Sequence, residues 1–234
     1  MSMPLRLLFG PLAAVLFLAS CSSDDGASPD ANFTLRARID NASTNSVSVK
    51  GAAVAGETVD SLFVTRVRVL VRRLVLHPVG LRDSIDDRTI KSGPFLMLAD
   101  STGSTIVASV NLPAGSYDKL KFEIHRFSSS EVPSYAADTV FSDFVTDQRY
   151  SIIIDGRFVR QGVSSPFTYK SDITSNVTVG SAAVDIPSSG TYSTSLVFST
   201  IAAFRAGGAY LDPTDSKNEP QIDNSLRAAF RLNP

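Results

Sequence analysis

With 22 Lys and Arg against 23 Asp and Glu in 234 residues, the chain carries a formal charge of −1, which leaves no electrostatic footprint for a nucleic acid or another polyanion. A single cysteine excludes a disulfide framework, and a hydrophobic content of 43% suits a packed body. No cofactor motif stands out from this background.

Arg6 precedes an apolar run through Leu7, Leu8, Phe9 and Leu12 to Leu18, the make-up of a secretory signal and too short for a comfortable membrane span. The run ends in Leu18-Ala19-Ser20-Cys21. That tetrad resembles the lipobox of bacterial lipoproteins. The resemblance implies lipidation of Cys21, loss of residues 1–20, and attachment to the outer membrane, on its periplasmic face or at the cell surface. Each buried methylene contributes about 0.8 kcal/mol, so several acyl chains on one residue hold firmly. Residues 21–31, with Asp24, Asp25, Gly26 and Pro29, read as a flexible acidic tether, and 32–234 as a single domain. The pair Asp24-Asp25 also looks like the surface-export signal of some Gram-negative lipoproteins.

In the domain the apolar period is two. Phe33, Leu35, Ala37 and Ile39 alternate with Thr34, Arg36 and Arg38, predicting an edge or outer strand, and Val47, Val49 and Val54 predict a weaker one. From Val64 to Leu76 one face carries Val67, Val69 and Val71 and the other Arg66, Arg68 and Arg72. At Arg72-Arg73 the phase slips, which a β-bulge absorbs. The arginines are expected to pair with carboxylates on a neighbouring strand, in preference to forming an anion-binding stripe. His77-Pro78 ends that strand, and 80–93 reads as a polar loop able to carry binding residues. Short strands follow at Phe95–Leu98 and Thr105–Val110. Leu112-Pro113-Ala114-Gly115-Ser116-Tyr117-Asp118 is a turn that runs into a strand with Leu120, Phe122 and Ile124 on one face and Lys119, Lys121, Glu123 and His125 on the other. After a serine-rich loop at 128–134, strands are predicted at Phe141–Val145, Tyr150–Ile154, Phe167–Tyr169, Val177–Ile186 and Tyr192–Phe198. Turns are read at Asp155-Gly156, Gly162 and Pro187–Gly190. Finally Asn218-Glu219-Pro220-Gln221 is a helix start, and Ile222, Leu226, Ala229 and Phe230 give a short amphipathic helix to cover a sheet face or an open end. The fold class is all-β, an antiparallel β-sandwich of transthyretin-like or Ig-like type with a short C-terminal helix.

The strand ending near His77, Gly93-Pro94-Phe95, the Leu112 to Asp118 turn and Leu211-Asp212-Pro213 before the last helix resemble, over most of 33–231, a bacterial lipoprotein domain of unknown function with a transthyretin-like (prealbumin-like) sandwich. That family implies fold and compartment and brings no catalytic residues. The chain is similar also to fimbrial subunits of Gram-negative bacteria, in which a strand is donated between subunits. The lack of a basic processing site soon after Cys21 counts against that kinship, since Arg36 and Arg38 lie inside a strand.

Catalytic signals are thin. The two histidines, His77 and His125, are expected at solvated positions, and no Gly-x-Ser-x-Gly elbow is present. Asp212, Asp215 and Glu219 are oxygen donors of the type calcium takes, but their segment reads first as turn and helix-start chemistry. Asp83, Asp86 and Asp87 make a weaker acidic spot, so no metal site is assigned. Three triplets, Asp60-Ser61-Leu62, Asp83-Ser84-Ile85 and Asp138-Thr139-Val140, look like the O-glycosylation acceptor of some envelope bacteria. The sequence thus points to a cell-envelope lipoprotein, non-enzymatic, acting as a structural or binding module, with a protein or glycan at the cell surface as its expected kind of partner. The alternatives are an adhesin or fimbrillin-like surface subunit and a calcium-dependent carbohydrate binder or hydrolase.

Overall fold

The computed structural model describes residues 31–41, 56–81 and 86–233. Cys21 and its signal, the tether as far as residue 30, the strand read at Val47, Val49 and Val54, and the triplet Asp83-Ser84-Ile85 lie outside the described residues. In chain order the strands are β1 (Phe33–Asp40), β2 (Thr58–Val59), β3 (Ser61–Pro78), β4 (Arg88–Asp100), β5 (Thr105–Val110), β6 (Gly115–Ile124), β7 (Ile152–Arg160), β8 (Val163–Ser171), β9 (Ser175–Ile186), β10 (Tyr192–Ser199), β11 (Arg205–Ala206), β12 (Ala209–Leu211) and β13 (Phe230–Asn233). Short helices interrupt them at α1 (Val132–Tyr135), α2 (Thr200–Phe204) and α3 (Glu219–Leu226).

Two large sheets and a small one, of order β11-β12-β2, share one core, so the chain is an all-β sandwich with a short helix near its C-terminus. The first sheet has the order β13-β10-β1-β5. The second is built on β3, 18 residues long, which pairs with β4 along one edge. Its other edge is shared. β7 pairs with Ser61 to Val69, and β6 with Val71 to Pro78. The strands β6 and β7 are thus one row interrupted at Leu70, whose N–H donates to Ser151 O at 2.8 Å and whose carbonyl accepts from His125 N at 2.9 Å. β8 and β9 repeat the arrangement one row further out, against β7 and β6 respectively.

The alternation read in the sequence is what fills the core. Val67, Val69 and Val71 point inward, and Leu74 and Leu76 resume the inward face after the register shifts between Val71 and Arg73 against both neighbours. The slip at Arg72-Arg73 is therefore a bulge. Opposite it β4 passes through Gly93, at φ 85°, and Pro94, which the sequence presents as loop residues. The loop expected over 80–93 is accordingly shorter, because from Arg88 onward the chain already pairs with Leu76. A bulge accommodates a proline that a regular ladder would reject.

Other expectations are corrected in the same way. β1 is an inner strand, parallel to β10 from Phe33↔Tyr192 to Asp40↔Ser199 and antiparallel to β5, because its partner comes from the far end of the chain. Phe141–Val145 is no strand. A 3-10 turn at Thr139–Phe141 leads into it, and the buried residues Phe141 and Phe144 are three apart, a turn spacing. Asp155-Gly156 lies inside β7, paired with Thr168 and Phe167. The helical stripe ends at Leu226, and Phe230 opens β13 on β10. From there Phe230 meets Phe122 of the second sheet edge-on at 5.2 Å and Phe198 of its own sheet at 5.4 Å, so the last strand wedges the two layers together. The opposite end is plugged by Phe204 of α2, set edge-on against Phe167 at 5.8 Å and Tyr169 at 5.9 Å.

Candidate functional site

The outer face of the second sheet is covered over one half only. The excursion 125–151, between β6 and β7, folds back over Leu70 and Ile153 and builds a second small core with Phe127, Phe141 and Phe144. Phe127 stacks on Tyr135 with ring centres 4.7 Å apart. Over the other half, the described residues leave the face partly open.

That open half is a cleft of about 430 Å³. Pairing register places its groups in cross-strand rows. Arg73, Glu123 and Asn176 form one, and Val75, Lys121 and Thr178 the next, with Val75 a buried apolar floor. Asp87, at the mouth of the β3–β4 connection, forms the wall. Its Oδ1 accepts from His77 Nδ1 at 2.7 Å, and Lys121 Nζ donates to Oδ1 at 3.1 Å and Oδ2 at 3.2 Å. Burial alone would raise the Asp87 pKa, but the hydrogen bonds and charges of His77 and Lys121 outweigh it and hold the carboxyl below its ordinary value. Asp87 is thus ionised at neutral pH, and Nδ1 of His77 carries the proton of their bond.

Neither histidine is solvated, contrary to expectation. His77 is 2% exposed and His125 7%. At each, a carboxylate from further along the chain meets the ring, a tertiary arrangement that strand periodicity does not report. His125 Nε2 lies 3.1 Å from Glu131 Oε1, while Glu131 Oε2 accepts from Ser128 N at 2.8 Å. Burial would raise the Glu131 pKa. The Ser128 bonds and His125 overcome it and lower it, fixing the start of the excursion.

Arg66 and Arg68 of the stripe pair with carboxylates as expected, whereas Arg72 makes no ion pair with any described residue. Arg66 pairs with Asp100 of β4 at 3.6 Å, and Arg68 with Asp155 of β7 at 3.4 Å and with Asp143 of the excursion.

Asp212, Asp215 and Glu219 do not converge as ligands. Buried Asp212 binds Arg160 and accepts from Thr214 N at 2.8 Å and Thr214 Oγ1 at 2.7 Å. Asp215 accepts from Glu57 N at 2.7 Å and Lys217 N at 3.0 Å, and these bonds, which outweigh its slight desolvation, lower its pKa. Glu219 opens α3. Asn218 precedes that helix, yet its side chain leaves the helix alone and donates to Glu57 O at 2.7 Å and Asp212 O at 3.1 Å. The segment is turn chemistry that ties β2 to the helix. Among the described residues no group of three or more His, Cys, Asp or Glu side chains is placed to hold a metal ion.

The cleft residues were not singled out in the sequence as a site. One signal for them exists: Lys121 and Glu123 occupy the polar phase of the most regular strand, and the alternate residues of β9, Asn176 and Thr178, come beside them once that strand is paired.

Compared with known proteins, the chain matches no family model, no curated protein and no solved structure.

Proposed function

We propose that the protein is an envelope lipoprotein, lipidated at Cys21 and held to the outer membrane, whose β-sandwich is a non-enzymatic binding module. The observation that carries this reading is the order of the apolar run, Ala19-Ser20 and Cys21. The fold is compatible with it: β1 starts at Phe33, and a tether from Ser22 to Asn32 reaches about 40 Å when extended, enough to hold the domain clear of the headgroups. The transthyretin-like kinship belongs to the same proposal.

The cleft on the second sheet is the surface that would engage a ligand. It offers the Arg73 guanidinium, the Glu123 carboxylate, the Asn176 amide and the Thr178 hydroxyl around a small apolar floor. Such a set suits a polar ligand rich in hydroxyl groups, a glycan.

Mass spectrometry of the mature N-terminus tests the anchor. A lipid-modified Cys21 is the expected first residue, and Cys21→Ser is expected to move the protein from the membrane to the soluble fraction. An unmodified cysteine, or a mutant that stays anchored, refutes it. For the cleft, a glycan array probed with the lipid-free domain should lose its signal on Thr178→Trp, which fills the cleft, while thermal stability stays unchanged. Glycan binding that survives the substitution places the ligand elsewhere.

A further inference from the structure

We propose that Thr139, at the tip of the excursion 125–151, is an attachment site for an O-linked glycan. Three triplets in the sequence have the form of an acceptor, and structure separates the two that can be described. Asp60-Ser61-Leu62 is built into the sheet. Asp60 N donates to Val159 O at 2.8 Å, Ser61 is the first residue of the β3 ladder, and Leu62 is 7% exposed inside the core. A transferase could not draw that segment into its active site without unpicking β3 from β7.

Asp138-Thr139-Val140 is the reverse case. All three residues are exposed, Val140 by 55%. Asp138 is extended, at φ −86° and ψ 112°, and its Oδ1 accepts from Val140 N at 2.9 Å, so the triplet stands out as a preformed turn. The Thr139 hydroxyl makes no hydrogen bond to any described residue. Behind the tip, Phe141 and Phe144 anchor the turn in the small core.

A second feature lies beside it. A groove of about 500 Å³ is lined by Thr139, Val140, Leu98, Arg66, Asp100 and Asp143. Leu98 and Val140 are 40% and 55% exposed, an apolar surface for the C–H face of a sugar ring, and the charged groups around it can bond to ring hydroxyls. The first sugar on Thr139 would lie along this groove.

The transfer balances simply. Thr139 Oγ1 attacks the anomeric carbon of a glycosyl diphosphate donor, the new C–O bond replaces the bond to the phosphate oxygen, the diphosphate leaves with the electron pair, and the hydroxyl proton passes to a base of the transferase. Nothing is oxidised or reduced. The proposal rests on the envelope reading, because the triplet resembles the acceptor of some envelope bacteria.

The test is mass spectrometry of the full chain purified from the envelope of the cells that produce it. Trypsin releases Phe127–Arg149, which contains no internal Lys or Arg. This peptide should carry sugar increments, lose them in Thr139→Ala and in Asp138→Asn, which keeps the capping oxygen, and retain them in Thr139→Ser and Ser61→Ala. A bare wild-type peptide, or increments that persist in Thr139→Ala, overturns the proposal. The same digest reads Cys21: lipid there with a bare Phe127–Arg149 rejects the glycan alone, whereas an unlipidated Cys21 rejects the anchor.

Discussion

Asn41 is paired with Val64 as though it were a residue of a strand: its Nδ2 donates to Val64 O at 2.8 Å and its Oδ1 accepts from Val64 N at 2.9 Å. Thr200 Oγ1 donates to the same Oδ1 at 2.8 Å, so one amide ties the end of β1 to β3 and to α2. Asn32 does the same at the start of β1, exchanging both bonds with Leu112. Thus the inner strand of the first sheet is pegged at both ends by side chains that copy a β-bridge.

Removing a peg leaves backbone groups without partners in a place where water replaces them poorly. Asn41→Ala should cost about 2 kcal/mol. Asn41→Asp, which keeps the acceptor for Val64 N and Thr200 but sets a carboxylate oxygen against Val64 O, should cost at least as much. Denaturant titration reads both as a lower midpoint with an unchanged slope. A neutral Asn41→Ala would show that the pegs follow the packing and do not support it.

Asp87 gives the fold an acid limit. Its folded pKa lies below its ordinary value of 3.8, so in acid the unfolded chain binds the proton more readily than the folded one. Its stabilisation is complete above that ordinary value and is lost as pH falls through the lower, folded value. Asp87→Asn should therefore flatten the acid limb of the stability curve below about pH 4. Asp87→Ala, which strips His77 and Lys121 of their shared acceptor, should cost about 3 kcal/mol at pH 7. Equilibrium unfolding of the three proteins between pH 2 and pH 7 measures both effects. An unaltered acid limb in Asp87→Asn would assign the acid sensitivity to other carboxylates such as Glu131.

How far the sequence discloses this molecule depends on the range of the interaction. Strand positions follow from side-chain alternation, a local property, and the Arg72-Arg73 bulge was visible because two adjacent arginines break the period. Pairing across the chain was not visible. Nothing within 33–40 says that this segment lies parallel to 192–199, and nothing in Phe230 says that it begins a strand once Leu226 has closed the helix. The same holds for the site. His77 and Asp87 flank one hairpin, but nothing local says that the two side chains meet and are buried together. Glycine and proline misled most where tertiary packing overrode their turn preference, at Gly93-Pro94 and at Gly156.

Tyr169 ties β8 to α3. Its hydroxyl donates to Asp223 Oδ1 at 2.8 Å and reaches Glu219 O at 3.3 Å. Burial, reinforced by the bond to Asp223 and the nearby acidic charges, pushes the phenol far above its ordinary value of 10.0. Its contribution is complete below that value, and because the unfolded phenol ionises there while the folded one does not, stability falls as pH rises beyond it. Tyr169→Phe should cost about 1 to 2 kcal/mol at neutral pH by leaving Asp223 without its donor. The variant should also be less sensitive to alkali between pH 10 and 12 than the parent. Tyrosinate absorbance followed alongside circular dichroism tests this, since the ionisation of Tyr169 should appear only with unfolding. A phenol that ionises in the folded protein at its ordinary pH would contradict the burial described here.

Gly156 shows why a glycine after aspartate need not be a turn. A methyl group there would lie 2.5 Å from Phe63 O and 2.6 Å from the Phe167 ring. The carbonyl belongs to β3 and cannot retreat without breaking the ladder with β7, and the ring is held by Phe204 behind it. Glycine permits this close approach of strand and aromatic ring. Gly156→Ala should therefore cost about 2 to 3 kcal/mol through overpacking. Gly180→Ala in β9 is the matched control, since nothing lies within 4 Å of the added methyl and the backbone is not left-handed there. It should be neutral or stabilising by up to about 1 kcal/mol. Thermal unfolding of the two variants side by side separates contact from chain entropy. Equal losses would mean that strand glycines matter here for flexibility, and that the space around Gly156 is wider than the packing of Phe63 and Phe167 implies.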